Sequence, residues 1–419
     1  MHCQVIGAGL MGLTSAWFLG RLGYRVSVYE TGQEVGLGTS YGNGGMLHAS
    51  EANPWNHPGI FWEAMKMLGR EDSALLIRPY AVARMLPWIW SFFRNSSSKK
   101  FRSNLEKNAR LAKYSLDVLK EELVGLGLDF DYKAVGTLKI YSGLDAFNAA
   151  SVVASEAKVM GTRSLVLSCS ELTELEPALE TASPNLVGGI YYPDDVSGDA
   201  NKFCKTLAAA CRKAGISILR NSEVNEIVIQ NDRFSGLRVK GEIVAGESCI
   251  VTAGCGSKNL VQELGINLPV EPVKGYSITL TMEGWNNCPK IPVIDEFRHA
   301  AVCPLGSRLR IAGTAEFAGF NADMTPGRVN NLLDVCRALY PFGDIPNDFA
   351  NASPWFGFRP MTPDGVAVVS RTDLKGLYLN TGHGHLGWTM APGSARLLAD
   401  IVSNSTTKIP ENDYRLSRF

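Results

Sequence analysis

Cys3-Gln4-Val5-Ile6-Gly7-Ala8-Gly9-Leu10-Met11-Gly12 is the stretch that decides the fold. Cys3 to Ile6 has the apolar pattern of a short buried strand and runs directly into the glycines. A helical stretch follows through Leu22, and a second strand, Val26-Ser27-Val28-Tyr29, ends on Glu30. Strand, glycine turn, helix, strand and terminal acid come in the order of a βαβ dinucleotide-binding unit. Gly7 permits the tight turn, Gly9 lets a pyrophosphate approach the backbone, and Gly12 lets helix and strand pack closely. Leu10 and Met11 open the helix, whose unpaired N–H groups and positive dipole end attract phosphate. Glu30 lies some twenty residues on, where a carboxylate accepts both ribose hydroxyls and repels a 2′-phosphate; NADP is disfavoured. The fingerprint alone does not separate NAD from FAD.

The next segment separates them better. A simple Rossmann dehydrogenase would continue its βα repeats, but Gly36-Leu37-Gly38-Thr39-Ser40-Tyr41-Gly42-Asn43-Gly44-Gly45 is a glycine-rich loop. A long loop without side-chain bulk suits the edge of an isoalloxazine ring, with Ser40 and Asn43 as hydrogen-bonding groups and Gly44 and Gly45 beside them. An exposed flexible loop is the alternative. Farther on, Val224–Ile229 and Phe234–Val239 read as strands, and Ile250-Val251 meets Thr252-Ala253-Gly254. Small residues after a strand make a second backbone approach to the dinucleotide, to which we assign Val224, Ala253 and Gly254.

Composition bounds the rest. A chain of 419 residues suits two domains, and 45% hydrophobic with 20% charged residues is a globular composition. Lys+Arg and Asp+Glu balance at 41 each, so no basic field draws nucleic acid or anionic lipid. The nine cysteines are scattered without a CxxC, which argues against structural zinc or a disulfide framework and for a reducing cytosolic compartment. No metal site is expected. The apolar start lacks the basic region of a signal peptide, and no run of about 18 apolar residues appears. Pro87-Trp88-Ile89-Trp90-Ser91-Phe92-Phe93 is densely aromatic: core, or a surface facing a membrane or a quinone. An amphipathic helix follows, with Leu105, Ala109, Ala112, Leu116, Leu119 and Leu123 on one face.

The expected fold class is α/β, a Rossmann-like FAD-binding domain interleaved with an α+β substrate domain on a mainly antiparallel sheet. The boundaries are 1–60, 186–258 and 352–419 for the first, 61–185 and 259–351 for the second. Asp199 caps a helix through Ala214, and the strand-rich region from Val273 to Gly319 covers the reactive side of the flavin, before a helix over Pro326–Leu339.

Two late segments carry the chemistry. Gly357-Phe358-Arg359-Pro360-Met361-Thr362-Pro363-Asp364-Gly365 places one arginine in a proline-flanked turn, and a fixed guanidinium binds a carboxylate bidentately. Thr381-Gly382-His383-Gly384-His385-Leu386-Gly387-Trp388-Thr389 is a glycine loop opening the final helix. Its N–H groups, over Gly384 to Thr389, can face the negative charge a flavin gains on reduction.

At these residues the sequence resembles the D-amino-acid oxidase superfamily, nearest its bacterial D-amino-acid dehydrogenase branch. The resemblance covers essentially the full length. It runs through Gly7–Gly12 with Glu30, Ser40-Tyr41-Gly42-Asn43, Tyr191-Pro193-Asp195-Gly198-Asp199, Lys274-Gly275-Tyr276-Ser277, Ala315–Phe320, Arg359–Gly365 and Gly382-His383-Gly384. It implies a two-domain FAD-binding architecture, with Arg359 matching the carboxylate-binding arginine. Covalent attachment, seen in sarcosine-oxidase relatives, is not expected, because no cysteine lies in the Gly382–Gly393 stretch. The branch typically has a small Thr where this chain has His385, and relatives acting on proline-type or hydroxylated substrates carry His there. The resemblance therefore implies oxidation of a small D-amino or D-imino acid, with D-proline or 4-hydroxy-D-proline favoured, by hydride transfer from Cα to flavin N5. Arg359 would hold the carboxylate, with Tyr276, His299 and His385 as candidates for lining the pocket and one of them for accepting an amine proton, although all three could be core residues. An oxygen-using glycine or sarcosine oxidase, and a flavin subunit of a larger complex, are the alternatives. A quinone or electron-transfer chain is the expected acceptor; oligomeric state and contact with the inner face of a membrane stay open.

Overall fold

The computed structural model describes residues 1–67, 69–70, 75–159, 163–340 and 351–419. The remainder, 68, 71–74, 160–162 and 341–350, falls within the two stretches assigned above to the substrate domain and lies outside the described residues.

The first ten residues place the hub of the nucleotide-binding half. The strand His2–Ile6 is fully covered from Cys3 onward, as expected of a central parallel strand with both faces packed. It lies fourth in a six-stranded sheet ordered Val368–Arg371, Leu377–Thr381, Ser248–Val251, His2–Ile6, Arg25–Tyr29, Ser217–Leu219. Every neighbouring pair is parallel except the first. The helices Leu10–Arg21, Ala200–Lys213 and Gly387–Val402 share one core with this sheet. A three-stranded antiparallel sheet, Val224–Gln230, Arg233–Val239 and Glu242–Ala245, shares a core with its other face. Asp199 caps Ala200–Lys213 by accepting from the Asn201 and Lys202 amides.

The second layer is a nine-stranded sheet. Its path runs Ser353–Met361, Glu271–Thr281, Arg308–Phe317, Ala300–Leu305, Val293–Asp295, Thr137–Tyr141, Gly188–Tyr192, Leu165–Leu167, with Leu75–Ile77 added beside Arg308–Phe317. It is antiparallel except where Val293–Asp295 meets Thr137–Tyr141 and where Leu75–Ile77 joins. The helix Pro326–Leu339 packs on it through Val329, Leu332, Leu333 and Cys336.

The chain crosses between layers at points that differ from the sequence boundaries. Ser98–Val118 lies inside 61–185, yet Leu111, Ala112 and Leu116 join the nucleotide-binding core. Its buried stripe runs through Asn104, Asn108, Leu111 and Ser115, whereas Leu105 and Ala109 are only half-buried. Gly188–Tyr192 and Ser353–Met361 belong to the large sheet although they lie inside 186–258 and 352–419.

Gly12 shows how tightly the first turn is built. A Cβ there would stand 1.8 Å from the Gly7 carbonyl oxygen and 2.8 Å from Thr252 Oγ1. Gly12→Ala should cost about 1–3 kcal/mol by overpacking, lower the melting temperature and weaken FAD retention. A variant of wild-type stability and flavin content would contradict this packing.

Candidate active site

A cavity of about 1160 Å³ runs between the two sheets. One end is lined by Gly7, Gly9, Leu10, Met11 and Glu30, the middle by Ser40, Asn43, Gly44, Ala253 and Gly254, and the far end by Arg359 and His385. It exceeds the usual volume of a small-ligand pocket, about 300–1,000 Å³, and suits an extended dinucleotide with a small second molecule. Glu30 accepts from the Ala8 amide at 2.7 Å through Oε2 and from Gly32 at 2.8 Å through Oε1. Each oxygen keeps a lone pair for a ribose hydroxyl.

Some of the expected cofactor residues do other work. Gly12, Gly45, Leu386 and Thr389 do not line the cavity. Leu386 is buried core, and the Thr389 hydroxyl accepts from the His48 amide at 3.1 Å. Ser40 lines the cavity, but its hydroxyl accepts from the Leu10 amide at 3.2 Å and so holds the loop against the helix start. Asn43 Oδ1 accepts from the Gly45 amide, an Asx turn that shapes the glycine loop. Val224, Gly384, Gly387 and Trp388 do line it, with the Trp388 indole donating to the Gly198 carbonyl at 2.9 Å.

Arg359 lies within the strand Ser353–Met361, which corrects its assignment to a turn. Pro354 and Pro360 fit because this strand is at the sheet edge, where a missing N–H costs no ladder bond. The guanidinium crosses the neighbouring strand at Gly275, where a Cβ would meet Nη1 at 2.2 Å. The pairing shifts by one residue between Gly275 and Tyr276, leaving Thr314 as the extra residue of a β-bulge. The bulged Thr314 carbonyl accepts from Arg359 Nη1 at 3.1 Å. No carboxylate among the described residues pairs with Arg359. Burial and the neighbouring Arg328 lower its pKa to about 10, which leaves it charged at neutral pH.

The other expected pocket residues divide. His385 stacks on Trp55 (centroids 5.2 Å apart), and Trp55 in turn lies 5.6 Å from the Arg359 guanidinium carbon. Burial, then His48 and Arg359, lower the His385 pKa to about 3, so it is neutral near pH 7. Tyr276 reaches the cavity wall, but its hydroxyl donates to Glu316, which also receives Arg78 Nε at 2.8 Å. Burial and Glu316 push that phenol up, which keeps it protonated and committed as a donor to Glu316. His299 is exposed, among the lining residues.

Sequence reasoning missed His48, Glu51, Trp55, Lys139 and Glu296, all on the cavity wall. One signal was available: Lys139 interrupts Thr137-Leu138-Lys139-Ile140-Tyr141, a strand buried at every position.

A dinucleotide-binding α/β layer facing a mainly antiparallel substrate layer, with an arginine between them that has no carboxylate partner among the described residues, defines a two-layer flavoprotein-type oxidoreductase. The chain belongs to the DAO family of FAD-dependent oxidoreductases, whose family profile matches residues 3–401. It is 39% identical over 421 residues to the D-amino acid dehydrogenase of Paramagnetospirillum magneticum, covering 100% of this chain and 99% of that one. Glycine oxidase from Bacillus cereus superposes with a TM-score of 0.75 at 22% identity, covering 100% of this chain and 99% of the other. L-proline dehydrogenase from P. horikoshii gives 0.78 at 18% identity, covering 100% and 97%. At such identities these two show the shared fold alone.

Two outcomes follow. Gly275→Ala should displace the guanidinium and reduce kcat/KM roughly 10²-fold, from lost charge-assisted hydrogen bonds worth about 1.5–3 kcal/mol each, while bound flavin stays; unchanged kcat/KM would contradict the close approach. His383 is buried with both ring nitrogens unpartnered among the described residues, and burial lowers its pKa from 6.5 to about 3. The unfolded chain therefore binds a proton that the folded one refuses, so stability is full above pH 6.5 and falls as pH drops toward 3. The melting temperature of His383→Leu should decline less over that range than wild type; parallel curves would contradict this.

Proposed function

We propose that this oxidoreductase dehydrogenates a small D-amino or D-imino acid at Cα, with D-proline and its 4-hydroxy derivative as the favoured class. The observation that carries the reading is Arg359: a half-buried guanidinium, without a carboxylate partner among the described residues, on the wall of the cavity. Such a group calls for an anionic ligand, and a carboxylate matches its planar fork. The D configuration is supported by the name of the 39% identical relative, and the proline-type preference by His385 in the final glycine loop.

The residues present fit FAD. Glu30 offers lone pairs for a ribose, the helix Leu10–Arg21 opens at Gly9 without a side-chain cap, and His48 Nδ1 and both His383 nitrogens are buried, on the cavity wall and unpartnered among the described residues. When bound, FAD supplies the acceptor for the hydride and its electron pair. We infer that it is held without a covalent bond: Cys255 lines the cavity, but its thiol donates to the Phe358 carbonyl and burial pushes its pKa well up.

The chain's own part is orientation and water exclusion. Arg359 binds the substrate carboxylate while Thr314 fixes the guanidinium from behind. Trp55 and His385 stack into one wall that shields Cα from water. The amine must lose its proton so that its lone pair can push out the Cα hydride. The imine then hydrolyses to a 2-oxo acid, or remains a pyrroline when the substrate is a ring.

We also propose a membrane surface as the place of electron delivery. Trp62, Met65, Leu86 and Trp90 are exposed on the helices Ile60–Met67 and Pro79–Arg94, which touch through Phe61 and Phe93. Exposed Lys66, Arg84 and Arg94 border them. Aromatic side chains with a cationic rim suit an anionic lipid interface. Among the described residues no helix is long and apolar enough to cross a membrane.

Anaerobic addition of D-proline or cis-4-hydroxy-D-proline should bleach the flavin band, the L-forms should not, and Arg359→Ala should retain flavin yet lose roughly 10²–10⁴ in kcat/KM. Bleaching by sarcosine alone, or near-normal kcat/KM in the variant, would overturn the reading. Vesicles rich in phosphatidylglycerol should sediment the wild type but not Trp62→Ser/Trp90→Ser; equal sedimentation would contradict the lipid surface.

A further inference from the structure

Beyond the carboxylate anchor, the cavity wall carries a charged cluster that binding a carboxylate and excluding water do not require. Lys139 Nζ donates to Glu51 Oε1 at 2.8 Å and lies 3.0 Å from Glu296 Oε2. Lys139 and Glu51 are mostly buried, with side chains 11% and 20% exposed, and Glu296 is 37% exposed. All three line the same cavity as Arg359. Burial opposes the charge on Glu51, yet Lys139 and then His48 hold its carboxyl below its ordinary value, so Glu51 carries its charge beside Lys139.

The cluster is also placed beyond Arg359 along a continuous wall. Trp55 faces the guanidinium, His385 stacks on Trp55, and His385 feels the charges of both Arg359 and Glu51. His385 therefore has the guanidinium and the cluster both within electrostatic reach, and all of them line one cavity.

The hydrogen-bonding inventory there is incomplete in one particular way. An ammonium has three donors, and two go to Glu51 and Glu296. Glu51 Oε2 has no protein partner among the described residues. The cluster thus presents one donor and one charged acceptor side by side. A hydroxyl, which both donates and accepts, satisfies both at once. A second ammonium would satisfy Glu51 but meet the charge of Lys139, and an alkyl group would leave both unsatisfied at a partly desolvated site.

We infer that Glu51 and Lys139 form a subsite that reads a hydroxyl on the substrate side chain, at about Cγ, on the wall beyond Arg359 and His385. The inference rests on the amine-dehydrogenating reading of the cavity. It makes hydroxylated D-amino or D-imino acids the preferred substrates within that class. Glu51 accepts from the hydroxyl, Lys139 donates to it, and Glu296 keeps Lys139 in place from the more exposed side.

The test uses the FAD-loaded enzyme and two substrate pairs that differ by a Cγ hydroxyl: D-proline with cis-4-hydroxy-D-proline, and D-2-aminobutyrate with D-homoserine. Anaerobic flavin bleaching across substrate concentrations gives a specificity ratio for each pair. The wild type should favour the hydroxylated member at least tenfold in one pair. Glu51→Gln should cut that ratio at least tenfold, the loss falling on the hydroxylated member. Glu51→Asp keeps the charge beside Lys139 and should give an intermediate ratio, which guards against a variant that merely misfolds. A wild-type ratio near one, or an unchanged ratio in flavin-loaded Glu51→Gln, overturns the subsite while leaving the amine-dehydrogenating reading standing. Preference for D-2,4-diaminobutyrate over D-homoserine would overturn the hydroxyl in favour of a cation. If none of the set bleaches the flavin, that reading itself fails and the subsite falls with it.

Discussion

A charged guanidinium on the wall of a cavity, with no carboxylate beside it among the described residues, is costly unless the fold holds it there for a ligand. Much of the substrate layer serves to keep Arg359 in that state. The edge strand Ser353–Met361 supplies it, Gly275 on the next strand leaves room for the guanidinium to cross, and the bulge at Thr314 turns one carbonyl to meet it. One backbone acceptor orients the group without neutralising it. A side-chain carboxylate in that place would have made a stable ion pair and closed the site.

The nucleotide-binding layer answers a complementary need. It must bring backbone amides and one carboxylate to an anionic, extended cofactor and leave no side chain in between. The turn after His2–Ile6 does this with glycines, and Glu30 at the end of the adjoining strand is tied to the same turn through the Ala8 amide. The final helix closes the arrangement from the other end of the chain. It packs on Leu10–Arg21 and Ser98–Val118 and carries His383 and His385 to the cavity just before it begins. The two ends of the sequence therefore build one site.

How much of this could be read from the sequence depended on how local each requirement is. The first βαβ unit was legible because its glycines and acid act within thirty residues of one another. Asp199 and the helix it caps, and the helix Pro326–Leu339, were legible for the same reason. Arg359 was legible as chemistry but misplaced as structure. Its flanking prolines suggested a turn, and only the sheet order shows that the strand is an edge where prolines are tolerated. The amphipathic pattern around Ser98–Val118 showed that a face is buried, but a stripe does not say against what, and the helix belongs with the nucleotide-binding core. The wall of Glu51, Lys139 and Glu296 was invisible except for one lysine in an apolar strand, because its members meet only through tertiary structure. Tyr276 shows the opposite failure: the residue type suggested an acid–base role, but Glu316 already occupies its hydroxyl.

The central claim is that Arg359 stands ready for a carboxylate, and a ligand that cannot be oxidised tests it apart from turnover. Pyrrole-2-carboxylate and its neutral amide have nearly the same shape and differ in charge. Titrated into the flavin-loaded protein, the carboxylate should perturb the flavin band saturably and bind at least tenfold more tightly than the amide, about 1.4 kcal/mol. Equal binding of the two would mean that the guanidinium does not read the charge, and the functional account built on it would not stand.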